Sequence, residues 1–452
     1  MFDDMVSPSP LKIGFWTAVA LVLSNMVGTG VFTSLGFQLQ AVPSAFCALS
    51  LWALGGILAA CGALTYTELA AAMPRSGGEY TYLGETFHPS LGFLSGWVSG
   101  TVAFSAPMAL SAMAFGRYVG GIFPSISPQA LGLAALLGVS AAHLWSGDKG
   151  ARFLNLWTAV KVVPILAILL FGLFVAPSAG TPFAPVRADW ARLASPGFAV
   201  SLVYVSYAYS GWNASTYLAA EVHEPARNVP RSILLGTALV TGLYLLLNAA
   251  FLRVAPLSEL TGTLEVGNVA GEKIWGTAGR ALVAAAVGLG LVASLSSFVM
   301  AGSHLVKTIG QDFPRARFLA RVNHRGNPWV AILLQTAIAL LLFLTSSFDR
   351  VMTYVGFTLT VFTVLAVLAV FRRRARGGVI AGYRTWGYPW TPIVFLVFNF
   401  WMMIFILKGH PWESLAGVGT LAAGFAVYSL LTAKTSSLKI SPTKTIERTF
   451  NV

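Results

Sequence analysis

The chain has 452 residues, 56% of them hydrophobic and only 10% charged, with a mean hydropathy of +0.73 and a formal net charge of +13. Soluble domains carry about 25% charged residues, so the composition excludes an ordinary soluble domain and points to an integral membrane protein. The Lys and Arg residues lie between apolar runs, where membrane topology places them, which argues against a nucleic-acid partner.

No signal peptide is evident. Asp3 and Asp4 precede Lys12, and the apolar run that follows is far longer than an h-region. A membrane span needs about 20 apolar residues. Twelve runs of that kind are expected, at 13–39, 43–72, 89–122, 129–145, 153–176, 195–220, 231–252, 277–306, 327–346, 350–371, 388–407 and 414–432. The first two are separated by Pro43, because a single helix from Ile13 to Thr67 would be about 80 Å long. Placing the N-terminus in the cytoplasm puts most basic residues inside, including the clusters Arg315 to Arg325 and Arg372 to Arg376. Both termini are therefore expected to be cytoplasmic, in the cell (inner) membrane of a bacterial-type cell. Cys47 and Cys61 share one apolar run, and the six His show no metal-ligand spacing. No disulfide framework, metal site or cofactor is expected.

Two runs are interrupted. In the first, Ser24-Asn25-Met26-Val27-Gly28-Thr29-Gly30-Val31-Phe32 places two helix-disfavouring glycines around a Thr, in a stretch free of charge from Ile13 to Thr67. In the sixth, Tyr207-Ala208-Tyr209-Ser210-Gly211-Trp212-Asn213-Ala214-Ser215 does the same around Gly211. Small residues of this kind also serve close helix packing. Paired interruptions at corresponding places in two halves, however, mark the central site of inverted-repeat transporters. A half-helix starting near Thr29 offers unpaired N–H groups and a positive dipole end to a carboxylate. Half-helices ending near Met26 and Tyr207 offer carbonyls to an ammonium. A free α-amino acid fits that pairing.

The chain also resembles the amino acid–polyamine–organocation permeases, most closely their neutral L-type and bacterial members, from Gly14 to about Leu407. The resemblance is carried by Gly28-Thr29-Gly30-Val31-Phe32, by Tyr66-Thr67-Glu68-Leu69, and by Pro74-Arg75-Ser76-Gly77-Gly78-Glu79-Tyr80. It continues through Gly211-Trp212-Asn213 to Glu221, Pro225, Arg227-Asn228 and Pro230, and ends with Tyr383-Arg384-Thr385-Trp386-Gly387-Tyr388-Pro389. It implies an all-α membrane protein of 12 transmembrane helices with a LeuT-like 5+5 inverted repeat and discontinuous helices 1 and 6. Residues 13–176 would form the first repeat, 195–371 the second and 388–432 two peripheral spans, with 1–12 and 433–452 as cytoplasmic ends.

By the same resemblance the substrate carboxylate meets Thr29 and Gly30, beside Gly28, and its amine meets the carbonyls of Met26, Tyr207 and Ser210. Tyr207 is the aromatic gate, Trp212 part of the break and its gating, Gly211 a substrate-binding position at the centre of the same break and Asn213 a polar pocket residue. The family has Gly where this chain has Ser210, which narrows the pocket. Lys161 stands deep in the fifth run. Snorkelling would explain it, but the resemblance aligns it with a Lys that replaces Na⁺ in sodium-independent members, and its protonation would allow proton coupling. Glu68, Arg75 and Glu79, and likewise Glu221 and Glu224, read as topology or gate contacts. The expected function is sodium-independent transport of neutral α-amino acids by alternating access, as exchange or with protons, in the lipid bilayer and with no accessory subunit. Polyamine or cationic amino acid transport is the alternative; a divalent-metal carrier or a membrane-embedded enzyme fits the residues less well, since neither a ligand set nor a catalytic constellation is present.

Overall fold

The computed structural model describes residues 13–73, 77–145, 163, 165–217, 219, 222–377 and 383–433. Among the described residues the chain is helical, with no strand beyond an isolated bridge between Ile13 and Val222. Eight segments are long and apolar enough to cross a membrane.

The first is made of two successive helices, α1 (Phe15–Met26) and α2 (Gly30–Ala41). α2 stops at Val42, because the residue before a proline is held out of the helical region, here by Pro43. α3 (Ala45–Ala72) starts where Ser44 Oγ accepts the Cys47 N–H at 3.3 Å, an N-cap that satisfies one orphan donor. α4 (Glu79–Thr86) is short, and α5 (Pro89–Val98) begins with a proline at its first turn. A π-helical turn, Ser99–Ala103, joins α5 to α6 (Ser105–Gly120). α7 (Pro128–Trp145) and α8 (Ile165–Phe174) follow, then α9 (Arg187–Leu193) and α10 (Pro196–Ala208).

The second interruption separates α10 from α11 (Ala214–Tyr217). α12 (Pro225–Val254) and α13 (Leu257–Leu260) lead to α14 (Val266–Asp312), which Gly276 breaks into two helices. The long second part starts at Thr277, where the sequence places the eighth run. α15 (Trp329–Thr345), α16 (Phe348–Ala375), α17 (Trp390–Gly409) and α18 (Pro411–Thr432) complete the chain. α3 packs along α10 and α12 in the interior. α15, α17 and α18 turn Leu344, Val397 and Leu415 outward, as helices facing hydrocarbon do.

Glu68, near the end of α3, is buried and bonded through both oxygens to Arg374 of α16, at 2.8 and 2.7 Å. The Thr385 N–H adds a third bond at 2.6 Å, and the Arg374 guanidinium lies 3.7 Å above the Tyr388 ring. The segment 383–389 is thereby fixed against the ends of α3 and α16. Removing one partner of a buried pair leaves an uncompensated charge, at a cost of about 3–5 kcal/mol. Arg374→Ala should therefore lower the thermal unfolding midpoint in detergent markedly. Arg374→Lys should recover only part of the loss, since it keeps the charge and loses the fork.

Candidate functional site

The two interruptions touch each other. A Cβ on Gly30 would lie 2.6 Å from both Cα and Cβ of Ala208, so the head of α2 sits against the tail of α10 with no room for a side chain. Gly211 has φ 95°, and a Cβ there would meet the carbonyl of Asn25 at 3.0 Å, so the second break sits against the tail of α1. Gly28 differs: its nearest neighbour on that side is the Met26 carbonyl, 3.9 Å away.

These contacts bring opposite backbone charges together. The N–H groups that open α2 have no partner within the helix and carry its positive dipole end. Thr29 Oγ1 beside them lies 3.2 Å from the hydroxyl of Tyr207. The tails of α1 and α10 present carbonyls. The hydroxyl of Tyr244 on α12 reaches both, at 2.6 Å from Met26 O and 3.1 Å from Ala208 O. Tyr244 is fully buried, with its ring centroid 5.3 Å from that of Trp52 and 5.1 Å from that of Tyr209. Tyr209 OH in turn donates to Trp52 O at 3.0 Å, and Trp52 Nε1 to Gln38 Oε1 at 3.0 Å.

Met26, Gly28, Thr29, Gly30, Tyr207, Ser210 and Gly211 are all gathered in or beside these turns. The Tyr207 carbonyl accepts the Ser210 N–H at 3.0 Å, and the Asn213 carbonyl accepts both the backbone N–H and the hydroxyl of Thr216, which shapes α11. Trp212 stands edge-on to Tyr66 of α3, with ring centroids 4.6 Å apart. Glu224 lies outside the cluster, exposed and 3.6 Å from Arg227. Lys161, Arg75 and Glu221 lie outside the described residues. A cavity of about 20 Å³ remains between Val27, Gly28 and Phe32 and the α14 residues Ala286, Val287, Gly290, Leu291 and Ser294. A larger one of about 500 Å³, lined by the pairs Arg117–Glu265 and Arg280–Glu272, lies apart from the breaks.

Nothing in the sequence marks Tyr244, a single tyrosine in an apolar run; only the fold shows that it serves both breaks. The arrangement can hold a small molecule with a negative and a positive end, once Tyr207 and Tyr244 release the groups they now occupy.

The family described as amino acid permease matches residues 13–425. The chain belongs to the amino acid permease family. Its relatives include the serine/threonine exchanger SteT of Bacillus subtilis (strain 168), 29% identical over 404 residues, or 87% of this chain and 90% of the relative. The large neutral amino acids transporter small subunit 2 of Mus musculus is 27% identical over 436 residues, 93% of this chain and 80% of the relative. The b(0,+)-type amino acid transporter 1 of Homo sapiens is 26% identical over 370 residues, 80% of this chain and 76% of the relative. The apolar segments of this permease accordingly make it a multi-pass membrane protein.

The unequal surroundings of its two first-break glycines make a paired test. Gly30→Ala forces a methyl into the backbone of Ala208 and should destabilise by about 1–3 kcal/mol, with loss of transport. Gly28→Ala should fold normally. Thermal unfolding of both variants in detergent checks this, and equal midpoints would contradict the packing described. Tyr244→Phe leaves two buried carbonyls without their donor and should destabilise by about 1–3 kcal/mol in the same assay.

Proposed function

We propose that this permease is a sodium-independent carrier of neutral α-amino acids, working by exchange or with protons through alternating access. The observation that carries the reading is the reciprocal seating of the two breaks, which sets the N–H end of α2 and Thr29 beside the carbonyl ends of α1 and α10. In the proposed complex the carboxylate takes the α2 head, at Thr29 and Gly30 beside Gly28. The ammonium takes the carbonyls of Met26, Tyr207 and Ser210. Tyr207 gates the site, the turn at Gly211 and Trp212 moves with it, and Asn213 lines the pocket. The described residues of the two breaks include no Asp or Glu to meet a second ammonium, which supports neutral side chains over polyamines. The names of the serine/threonine exchanger and the large neutral amino acid transporter point the same way.

The proposed architecture is the LeuT-like 5+5 repeat of twelve spans, with residues 13–176 and 195–371 as the two halves and 388–432 peripheral. Both termini face the cytoplasm, in the cell membrane, and the basic ends of α16 and of the 3-10 helix Pro314–Ala320 lie on that side. Lys161 braces the first break from the fifth span in this scheme. Lys161→Ala should insert in the membrane yet transport poorly.

Proteoliposomes given a panel of labelled amino acids, with and without sodium gradients, proton gradients and internal counter-substrate, test the function. Uptake of neutral amino acids without sodium, accelerated by internal substrate or by an inward proton gradient, is the expected result. Uptake of putrescine with no neutral amino acid moved would overturn the reading.

A further inference from the structure

Glu79 opens α4 just after the turn at Gly77 and Gly78, a place where a carboxylate ordinarily meets water. Here it is buried, 7% exposed. Its Oε1 accepts the Tyr66 hydroxyl at 2.5 Å, and the Ser95 hydroxyl of α5 also bonds to it. The Tyr66 ring is the one that stands edge-on to Trp212, immediately after Gly211. A chain of three side chains thus joins a buried carboxyl to the second break.

Three arginines of α16, which packs on α4, contact other groups, and Asp312 of α14 acts on Tyr80 of α4. On α16, Arg374 is bound to Glu68 of α3, Arg372 lies 5.1 Å above the Phe87 ring, and Arg376 reaches the Thr86 carbonyl at 3.4 Å. Glu85 and His88, at the far end of α4, are exposed. Tyr82, on α4 itself, is fully buried and packs on Tyr66 at 6.2 Å between ring centroids. Among the described residues no cation forms an ion pair with Glu79. A buried, unpaired carboxylate is costly, so the neutral acid is favoured. Burial pushes Glu79 up to about 7, against the lowering effect of the Tyr66 and Ser95 hydroxyls.

We propose that Glu79 is a proton-binding site of the transport cycle, protonated while α4 is packed against α3 beside Trp212, and deprotonated when this end of the protein opens to water. The proposal rests on the permease reading above and adds to it where a proton is held. On opening, the carboxyl O–H bond breaks, the proton passes to water and the carboxylate is hydrated. The direction of the pH effect follows from linkage. The packed state holds the proton up to about pH 7, whereas the hydrated carboxyl returns toward its ordinary 4.5. Between those values the packed state binds more protons, so acid favours it. Each unit of rising pH in that window shifts the balance toward opening by up to tenfold; above the window both states are ionised and the effect levels off.

The test uses the full chain in proteoliposomes, with the same pH on both sides, and measures amino acid exchange from about pH 5 to about pH 8. The wild-type rate should climb and then level off near neutrality. Glu79→Gln, which mimics the protonated acid, should bind substrate as the wild type does, judged by ligand-induced thermal stabilisation, and lose the pH-dependent climb. Tyr66→Phe removes a donor to the ionised form and should move the midpoint to higher pH. Infrared spectra of the wild type should show a protonated-carboxyl carbonyl band that titrates near neutral pH and is missing from Glu79→Gln; this readout also stands if a variant fails to reconstitute. A wild-type pH profile retained by Glu79→Gln, or no such band, overturns the proposal. Wild-type vesicles that move no amino acid would count against the permease reading, and the infrared titration would then decide the proton site alone.

Discussion

The structure depends on one constraint: a helix interrupted inside an apolar protein must find partners for the backbone groups that the interruption frees. This chain meets it by setting two interruptions against each other. Gly30 against Ala208 and Gly211 against Asn25 bring the helix ends within backbone contact, and a single hydroxyl from Tyr244 then serves the two carbonyl-bearing tails. The surrounding core holds that hydroxyl in place. Trp52 and Tyr209 wall in the Tyr244 ring, and their own polar atoms are tied to Gln38 and to the Trp52 carbonyl, so α2, α3, α10 and α12 are joined through one aromatic cluster. A hydroxyl has one proton for two acceptors, so each tail is only partly satisfied. That incompleteness suits the proposed role of the breaks, in which the ammonium of the substrate is a further donor.

A few residues away, two acids on neighbouring elements have opposite fates. Glu68 is buried with a bidentate Arg374 and a backbone N–H, three charge-assisted bonds that make it a fixed point of the fold. Glu79 is buried with hydroxyls only, and hydroxyls stabilise a carboxylate far less than a guanidinium does. Their spacing in the sequence is short and both belong to the same motif-rich stretch. The difference lies in what the rest of the chain delivers to each: α16 brings Arg374 to the first, and the turn after α10 brings Trp212 up to Tyr66 beside the second.

The contrast also explains how much could be read from the sequence. The breaks were legible because glycines inside a charge-free apolar run are a local signal, and α1 and α10 do end at Met26 and Ala208. The reason Gly30 must be glycine was not legible, since its neighbour Ala208 is remote in sequence. Tyr244 and the π turn at Ser99–Ala103 left no trace, because neither departs from an ordinary apolar helix in composition. Trp212 is legible as part of the break from its place beside Gly211, but its ring contact with Tyr66 of α3 is not. Motif position fixes the backbone of such a residue, whereas the direction of its side chain follows from a turn geometry that sequence spacing does not encode.

In the proposed cycle the closed contact sets a limit on affinity. Bonds that an amino acid would form at the breaks replace ones that already exist: its carboxylate competes with Tyr207 for Thr29, and its ammonium competes with Tyr244 for Met26 and with the Ser210 N–H for the Tyr207 carbonyl. The net gain is then the difference between a charge-assisted and a neutral hydrogen bond, about 1 kcal/mol for each exchange, less the cost of desolvating the zwitterion. A carrier benefits from that near-balance, because a ligand held by the full strength of both ends would not leave. It also places discrimination among substrates on the side chain. The headgroup exchange is the same for every α-amino acid, so the residues facing the side chain, with Ser210 where the family resemblance implies Gly, decide which one is carried.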